Sequence, residues 1–383
     1  MTSKADYNLI VDTLRGVIDP ELHDNIVDLG MLRDVEIDDA GTVTISIALT
    51  VASCPLRAQI EADVISKIEG VPGFGDVVVK TGEMTADEKS ELMSRARLKA
   101  REDAPATQVP ATARVIAVSS GKGGVGKSTT TANLAHAIRD RGFTTGVLDA
   151  DVWGFSQHRM LGIDEQLRGS DGLIDPVDAD GIRAVTMGSL VDNEEQALMW
   201  RGLILTKAVE QFLSDVRWGD IDYLVVDMPP GTGDVQMGLA RMLPQAEMLL
   251  VTTPQAAAHT VAVRAANMAR RSHMKVTGIV ENMSGFTCEH GSHYDIFGTG
   301  GGDELAVSLG VDVLARVPLD PASVAASDNG TPIVTSHPGS PAATEYRALA
   351  ERLTDDLLPP VEMAGCTARI EDVFAELSGA DER

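Results

Sequence analysis

The sequence is poor in aromatic residues and in cysteine, and each shortage excludes a class of protein. Aromatic residues make up 4% of the 383 residues, too few for the stacking platforms that bind single-stranded nucleic acids. The three cysteines, Cys54, Cys288 and Cys366, are too few for a disulfide framework and indicate a reducing compartment. No apolar run reaches the roughly 18 residues of a membrane-spanning helix, and residues 1–6 lack the apolar core of a signal peptide. We therefore expect a cytoplasmic protein.

Basic charge is also scarce. The chain has 32 Lys and Arg against 57 Asp and Glu, for a net charge of −25. An acidic surface repels phosphate backbones and anionic lipids, so we expect no nucleic acid and no membrane as partner. Hydrophobic residues still make up 44% of the chain, enough for real cores, and its length predicts two domains.

The composition divides the chain into four segments. Residues 104–113 are small, uncharged and contain Pro105 and Pro110, as in an extended linker. Residues 1–103 ahead of it predict a small α/β domain, and residues 359–383 predict an acidic tail. The periodicity in the first segment predicts helices over 7–17, 55–69 and 88–101 and strands over 42–49 and 74–81.

Strand-like and helix-like segments alternate over residues 114–358. This alternation predicts an α/β fold with a mostly parallel, doubly wound sheet covered on both faces. The predicted strands are 115–119, 145–148, 223–226, 248–252 and 276–280, and the predicted helices are 127–141, 204–216, 236–243 and 256–272.

A glycine-rich loop follows the first of these strands and opens the first helix, in the order that a P-loop requires. Its backbone N–H groups and the helix dipole favour phosphate oxygens. Lys127 is expected to reach the β- and γ-phosphates of ATP, and the Ser128 hydroxyl to bind Mg²⁺. The predicted nucleotide-binding residues are Gly121, Lys122, Gly123, Gly124, Val125, Gly126, Lys127, Ser128 and Thr129.

Acidic residues end two later strands of the predicted sheet. Asp149 and Asp151 follow the strand over 145–148, at the carboxyl edge where ligands bind in open α/β sheets. Asp227 ends the strand over 223–226 as a Walker B aspartate, which holds Mg²⁺ directly or through water. The loop from Asp227 to Asp234 contains Pro-Pro-Gly-Thr-Gly and is a candidate switch II.

Lys122, beside Gly121, resembles the signature lysine of the deviant Walker A ATPases, such as MinD and ParA. The resemblance implies a nucleotide-sandwich homodimer in which this lysine reaches the partner's nucleotide. It also implies that Asp151 orients the attacking water, that Asp149 lies near Mg²⁺ and that Asn282 contacts adenine. Lys122, Lys127 and Asp151 are therefore the expected catalytic residues, and Asp227 and Asp234 are expected to couple hydrolysis to switch II.

A narrower resemblance rests on longer strings and covers most of residues 114–358. Asp-Met-Pro-Pro-Gly-Thr-Gly-Asp over 227–234, Asp-Ala-Asp over 149–151 and Glu-Asn-Met-Ser over 281–284 resemble the Mrp/ApbC iron–sulfur cluster carriers. Asp-Pro-Glu over 19–21 and Ser-Cys-Pro-Leu over 53–56 look like the metal–sulfur cluster assembly domain fused ahead of many of them. The resemblance implies an ATPase that binds iron–sulfur clusters and delivers them to apo-proteins, with assembly factors as further partners.

The chain departs from the carrier pattern at the expected Cys-x-x-Cys pair. Cys288 occupies the first position and Gly291 the second, so a homodimer offers two thiolates where a cysteine-ligated [4Fe–4S] cluster needs four. Three interpretations stay open: mixed ligation with His290 or His293, a labile cluster completed by exogenous thiols, or a lost cluster site with the ATPase retained.

The other two cysteines carry weaker expectations. Cys54 precedes Pro55 at a predicted helix start, where its thiol pKa would be lowered; metal handling and simple capping both fit. Cys366 lies in the tail, and we expect no specific role for it.

Two other functions are compatible with the sequence. One is a nucleotide-gated adaptor that recruits assembly partners through residues 1–100 and carries no cluster of its own. The other is a spatial-organisation ATPase of the MinD or ParA type, which the acidic tail and the net charge disfavour.

Overall fold

The computed structural model describes residues 4–20, 22, 24–38, 40–50, 56–102, 104–151, 154–190 and 202–361. The chain divides into two compact units, Met1–Asp103 and Ala104–Arg383. Cys54, Cys366 and the predicted tail beyond residue 361 lie outside the described residues. Within the described ranges, no helix is both long enough and apolar enough to span a membrane.

The first unit packs helices on a three-stranded sheet. Strand β2 is central, antiparallel to β1 and parallel to β3. The inward side chains Ile45 and Ile47 of β2 share a buried core with Ile60 and Val64 of α2. The elements are α1 (Lys4–Leu14), β1 (Leu32–Ile37), β2 (Val43–Leu49), α2 (Arg57–Glu69), β3 (Val77–Glu83) and α3 (Ala86–Glu102).

The prediction for this unit differs from the structure at the end of the first helix, at the start of the last strand, which is Val77 and not residue 74, and in one missed strand. The first helix ends at Leu14, not at residue 17, because the backbone N–H of Val17 bonds the Leu14 carbonyl in a tight turn. Val17 is nevertheless buried, which is why its spacing suggested a helical position. Strand β1 was missed because Val35 is its single buried residue, too weak an alternation to detect.

The second unit contains the predicted strands and helices, and it adds four short strands over 168–185 and three helices over 321–351 that were not predicted. Its first half contains β4 (Arg114–Ser120), α4 (Lys127–Asp140), β5 (Thr145–Asp149), α5 (Gln157–Met160), β6 (Arg168–Ser170), β7 (Leu173–Asp175), β8 (Val177–Ala179), β9 (Ile182–Val185) and α6 (Gly202–Asp215). Its second half contains β10 (Tyr223–Asp227), α7 (Asp234–Met242), β11 (Glu247–Thr252), α8 (Ala256–Arg271), β12 (Lys275–Thr287), β13 (His293–Tyr294), α9 (Gly301–Leu309), β14 (Val313–Leu319), α10 (Pro321–Asp328), α11 (Ile333–Ser336) and α12 (Pro341–Glu351).

The large sheet of this unit is mostly parallel, which confirms the predicted fold class. Its strand order is β13-β12-β11-β4-β10-β5-β9-β8, with β14 pairing β12. Only β8 and β13 run antiparallel to their neighbours among the described strands of this sheet. Strand β4 lies between β10 and β11, so the chain leaves it at the centre of the carboxyl edge. Ligands bind at such a position in doubly wound sheets.

Both faces of this sheet are buried, as continuous apolar strands require. Along β4, Val115 and Ala117 belong to one core with residues of α6, α7 and α8. Ile116 and Val118 belong to the other core, with residues of α4 and α12. The sheet is therefore a rigid platform, and the loops at its carboxyl edge are held by two cores.

We expect Tyr223→Phe to destabilise the second unit. The buried Tyr223 hydroxyl donates a 2.7 Å hydrogen bond to the Leu358 carbonyl, and its loss leaves that oxygen unpaired, at a cost of about 1–3 kcal/mol. Urea unfolding followed by tryptophan fluorescence measures this, because all three tryptophans belong to residues 104–383. Tyr294→Phe is the control, since Tyr294 is 52% exposed. An equal midpoint for both variants would contradict the assigned role of the bond.

Candidate functional site

The loop between β4 and α4 has the backbone of a phosphate cradle. Gly124 and Gly126 have φ values of +76° and +83°, which only glycine adopts readily. A Cβ at Gly126 would lie 2.0 Å from Asn282 Nδ2, and one at Gly121 would lie 2.3 Å from the Ala262 nitrogen. Glycine is therefore required at 121 by the crowding of the α8 backbone and at 126 by the left-handed backbone. The loop ends at Lys127, the first residue of α4, where unpaired N–H groups favour an anion.

Lys127 lies among carboxylates at this edge of the sheet. Its side chain is buried, its Nζ forms an ion pair with Asp227, and Asp151 Oδ2 lies 3.3 Å away. Burial alone would lower the pKa of Lys127, but the charges of Asp227 and Asp151 raise it above its ordinary value. The lysine is therefore charged, and Ser128 Oγ lies 3.4 Å from its Nζ.

Asp227 is held from two sides. One carboxylate oxygen accepts from Lys127 and, at 3.4 Å, from Thr131 Oγ1, while the other accepts from Gln157 Nε2 at 2.8 Å. Gln157 Nε2 also donates to the Ser128 carbonyl at 2.9 Å. The prediction did not include Gln157, because a glutamine after a loop has no distinguishing sequence signal.

Asp149 and Asp151 differ in what their oxygens contact. Asp149 is fully buried, and its carboxylate accepts backbone N–H bonds from Asp151, Ser156 and Gln157 at 3.1–3.2 Å. Burial and the nearby Asp227 charge raise the pKa of Asp149 well above its usual range. Asp149 thus organises the loop that carries Asp151. Its expected place near Mg²⁺ stays a prediction, as does the water-orienting role of Asp151, whose pKa is raised chiefly by burial.

The candidate switch II loop is tied to the P-loop strand. The Gly231 N–H donates to the Ser120 carbonyl at 2.8 Å, and buried Gln236 Nε2 donates to the Pro229 and Gly231 carbonyls at 3.1 and 2.6 Å. Asp234 is exposed at the first residue of α7. Its predicted coupling role stays a prediction.

A cavity of about 250 Å³ lies beside the P-loop. Asn282 lines it and donates from Nδ2 to the Val125 carbonyl at 2.9 Å. Asp320 also lines it: one carboxylate oxygen caps α10 through the Ala322 N–H, and Oδ2 is buried without a partner among the described residues. Sequence reasoning missed Asp320, because Asp-Pro at a helix start indicates only a cap. The lining includes Gly126, Thr129, Asn282, Asp320, Ser323, Asp328 and Tyr346.

Lys122 contacts its own chain. Its Nζ donates to Gln255 Oε1 at 3.0 Å, at the start of α8. The implied reach towards a partner's nucleotide stays a prediction. It would require Lys122 to exchange this contact for another.

Cys288 lies in the hairpin between β12 and β13. Its N–H donates to the Ser292 carbonyl at 3.0 Å, and the Gly291 N–H donates to the Cys288 carbonyl at 2.9 Å. Hydrogen bonding from the His290 backbone is the main cause of a lowered pKa of the Cys288 thiol. Gly291 has a φ of +81°, so a cysteine there would strain this turn.

The two candidate histidines differ in their contacts. The His293 ring lies between Thr287 Oγ1 at 3.2 Å and Asp295 Oδ1 at 3.1 Å, whereas His290 is exposed beside Glu289. Across the described ranges, no three His, Cys, Asp or Glu side chains are grouped so as to hold a metal ion. The Cys288, His290 and His293 ligand set therefore stays a prediction that one chain does not complete by itself.

Comparison with known families gives two matches. The family described as NUBPL iron-transfer P-loop NTPase matches residues 111–354. The family described as iron–sulfur cluster assembly protein matches residues 9–81. The two matched segments fall in the two compact units.

Two of the proteins with similar sequences carry the same name. A protein of Mycobacterium leprae called iron–sulfur cluster carrier protein is 43% identical over 91% of this chain and 93% of its own. One of the same name from Synechocystis is 40% identical over 90% of this chain and 96% of its own. A solved nucleotide-binding protein from Archaeoglobus fulgidus, in complex with ADP, is 35% identical, with a TM-score of 0.51 over 57% of this chain and 86% of its own.

Proposed function

The chain belongs to the NUBPL iron-transfer P-loop NTPase family, and we propose that it uses ATP hydrolysis to bind iron–sulfur clusters and pass them to apo-proteins. The nucleotide half of the proposal rests on the buried ion pair of Lys127 with Asp227 beneath a glycine cradle. The cargo half rests on the names of relatives aligned over nine-tenths of the chain and on the Cys288 hairpin.

ATP binding would exchange the partners of Lys127. Its ammonium group would leave Asp227 for the β- and γ-phosphate oxygens, with the first N–H groups of α4 and the loop as further donors. Asp151 would orient a water whose oxygen bonds to the γ-phosphorus as the bond to the β,γ-bridging oxygen breaks. ADP and phosphate would then leave.

The donor set at this site fits Mg²⁺. Ser128, Asp151 and Asp227 offer only oxygen atoms, and Mg²⁺ in nucleotide sites uses one or two such protein ligands together with phosphates and water. A bound Mg²⁺ would neutralise charge that develops on the phosphates. Asp227, directly or through water, and the Ser128 hydroxyl would hold it.

The cavity beside the P-loop, which we propose as the base pocket for the nucleotide, predicts a preference for ATP over GTP. Asp320 Oδ2 is a buried acceptor without a partner among the described residues, so it would accept from the adenine amino group, whereas a guanine bound in the same orientation would place its carbonyl oxygen against it. We expect Asp320→Asn to reduce the preference about tenfold, since an amide can also donate. Competition of ATP and GTP against a fluorescent ADP analogue measures it.

Asp328→Asn is the control for the base pocket. Asp328 also lines the pocket but is largely exposed and paired with Arg159. If Asp320→Asn keeps the full preference, or if both variants lose it equally, base recognition by Asp320 is wrong.

The homodimer is the second part of the proposal. We expect Lys122→Ala to remain monomeric with a non-hydrolysable ATP analogue under conditions where the wild type dimerises, because Lys122 would bind the partner's phosphates. Light scattering after size exclusion reports the mass. Lys207→Ala, a change of an exposed lysine on α6, is the control. A Lys122→Ala dimer at the same nucleotide concentration would refute the cross-subunit contact.

Cluster binding is tested by anaerobic reconstitution with iron and sulfide. We expect a visible chromophore with stoichiometric iron per dimer in the wild type and in Cys366→Ala, and its loss in Cys288→Ala, because Cys288 supplies the thiolate. Lys127→Ala should hold the cluster, yet its transfer to an apo-ferredoxin should not respond to ATP. His290→Ala and His293→Ala then test each histidine as a ligand.

One observation favours a second candidate function. The positive φ of Gly291 and the single Cys288 suit a nucleotide-gated adaptor that carries no cluster of its own. Intact ATPase activity with no chromophore in the wild type would support the adaptor and overturn the carrier.

A further inference from the structure

Gln157 carries a buried oxygen that the proposed catalytic roles leave unused. The residue is 0% exposed, and its Oε1 has no hydrogen-bond partner among the described residues. Buried polar atoms in native proteins are nearly always paired, so an unpaired one points to a missing ligand or water. The nitrogen of the same side-chain amide, Nε2, donates to the Walker B aspartate Asp227.

The orientation of this amide follows from its neighbours. Gln157 Nε2 faces the Ser128 carbonyl at 2.9 Å and Asp227 Oδ2 at 2.8 Å. Both are acceptors, so a flipped amide would place oxygen against oxygen twice. The nitrogen therefore faces them, and Oε1 is the atom left free beside Ser128 and Asp227.

The charge of the surroundings identifies the ligand class. Asp151 and Asp227 both lie beside the ammonium group of Lys127, so two carboxylates face one ammonium group even before a nucleotide adds its phosphates. A divalent cation with its hydration shell supplies both the positive charge and water O–H donors for a free carbonyl oxygen.

We propose that Gln157 is a positioning residue for the divalent cation at this site. Its Oε1 accepts a hydrogen bond from a water in the cation's hydration shell, while its Nε2 keeps Asp227 oriented. The proposal rests on the proposed nucleotide function. It adds a metal-directed role for the residue that begins α5, a helix with no other assigned part in the site.

Two substitutions separate the oxygen from the nitrogen. Gln157→Leu removes both, whereas Gln157→Glu keeps an oxygen acceptor and loses the donor to Asp227. If the oxygen matters, Gln157→Leu weakens cation binding about tenfold, as expected for loss of an outer contact to a metal site. Gln157→Glu keeps the acceptor and is therefore expected to bind the cation more tightly than Gln157→Leu does. If only the tether to Asp227 matters, Gln157→Glu is the worse variant, because it places two carboxylates together.

The full chain with ADP bound is titrated with Mn²⁺, and the free aqueous Mn²⁺ is measured by its paramagnetic resonance signal. The affinity of a fluorescent ADP analogue in EDTA is measured in parallel and should change less than about twofold in both variants, since the phosphate cradle is retained. Asn133→Leu is the matched control. The side-chain amide of Asn133, on α4, is buried like that of Gln157, but its oxygen already accepts a hydrogen bond from the Val334 N–H.

The outcomes separate this proposal from the function on which it rests. No Mn²⁺ binding by the wild-type ADP complex overturns both. Normal wild-type binding with an unchanged Gln157→Leu overturns only the role of Gln157, as does a Gln157→Glu defect larger than that of Gln157→Leu. A loss of ADP affinity in EDTA that matches the loss of Mn²⁺ affinity shows a structural role and also overturns it.

Discussion

The contact between Lys127 and Asp227 sets the arrangement of the nucleotide site. Strands β5 and β10 are parallel and in register, so that Asp149 and Asp227 are direct neighbours at the carboxyl edge of the sheet. Burying such carboxylates costs free energy unless they are paired or hydrogen-bonded. Lys127 compensates Asp227, and three backbone N–H groups compensate Asp149. The loop carrying Asp151 therefore takes its shape from the same carboxylates that face the cradle.

Strand β12 joins the two halves of the proposed activity. Asn282 lies on it at the wall of the base pocket, and Cys288 follows its last residue, Thr287. The strand is irregular between these points: Met283 and Gly285 have positive φ values, and the pairing with β14 shifts register between Asn282 and Phe286. A short, kinked segment of one strand thus separates the nucleotide pocket from the thiol hairpin.

Much of this architecture could be predicted from the sequence, because it depends on local patterns. The apolar strands, the P-loop and the Walker B aspartate each have a signature in consecutive residues. Gln157 and Asp320 could not be predicted, because their importance comes from an oxygen left unpaired by distant partners. The use of both Asp149 oxygens by backbone amides was also hidden, since it depends on the loop's conformation. For Cys288 the sequence alone showed that the second cysteine is absent, and the structure adds that a cysteine at 291 would strain the turn.

The close approach of Gly126 to Asn282 has a consequence for how this sequence can drift. Gly126 has no room for a Cβ, because the Asn282 amide occupies that space while bonding the Val125 carbonyl. The two positions are far apart in the chain, yet a larger residue at 126 requires a smaller one at 282, and the left-handed backbone at 126 disfavours even that exchange. A side chain at 126 would therefore have to displace the Asn282 amide and also adopt a left-handed backbone. The shape of the cradle and the position of the pocket wall therefore depend on one another through this single contact, whatever cargo the hairpin carries.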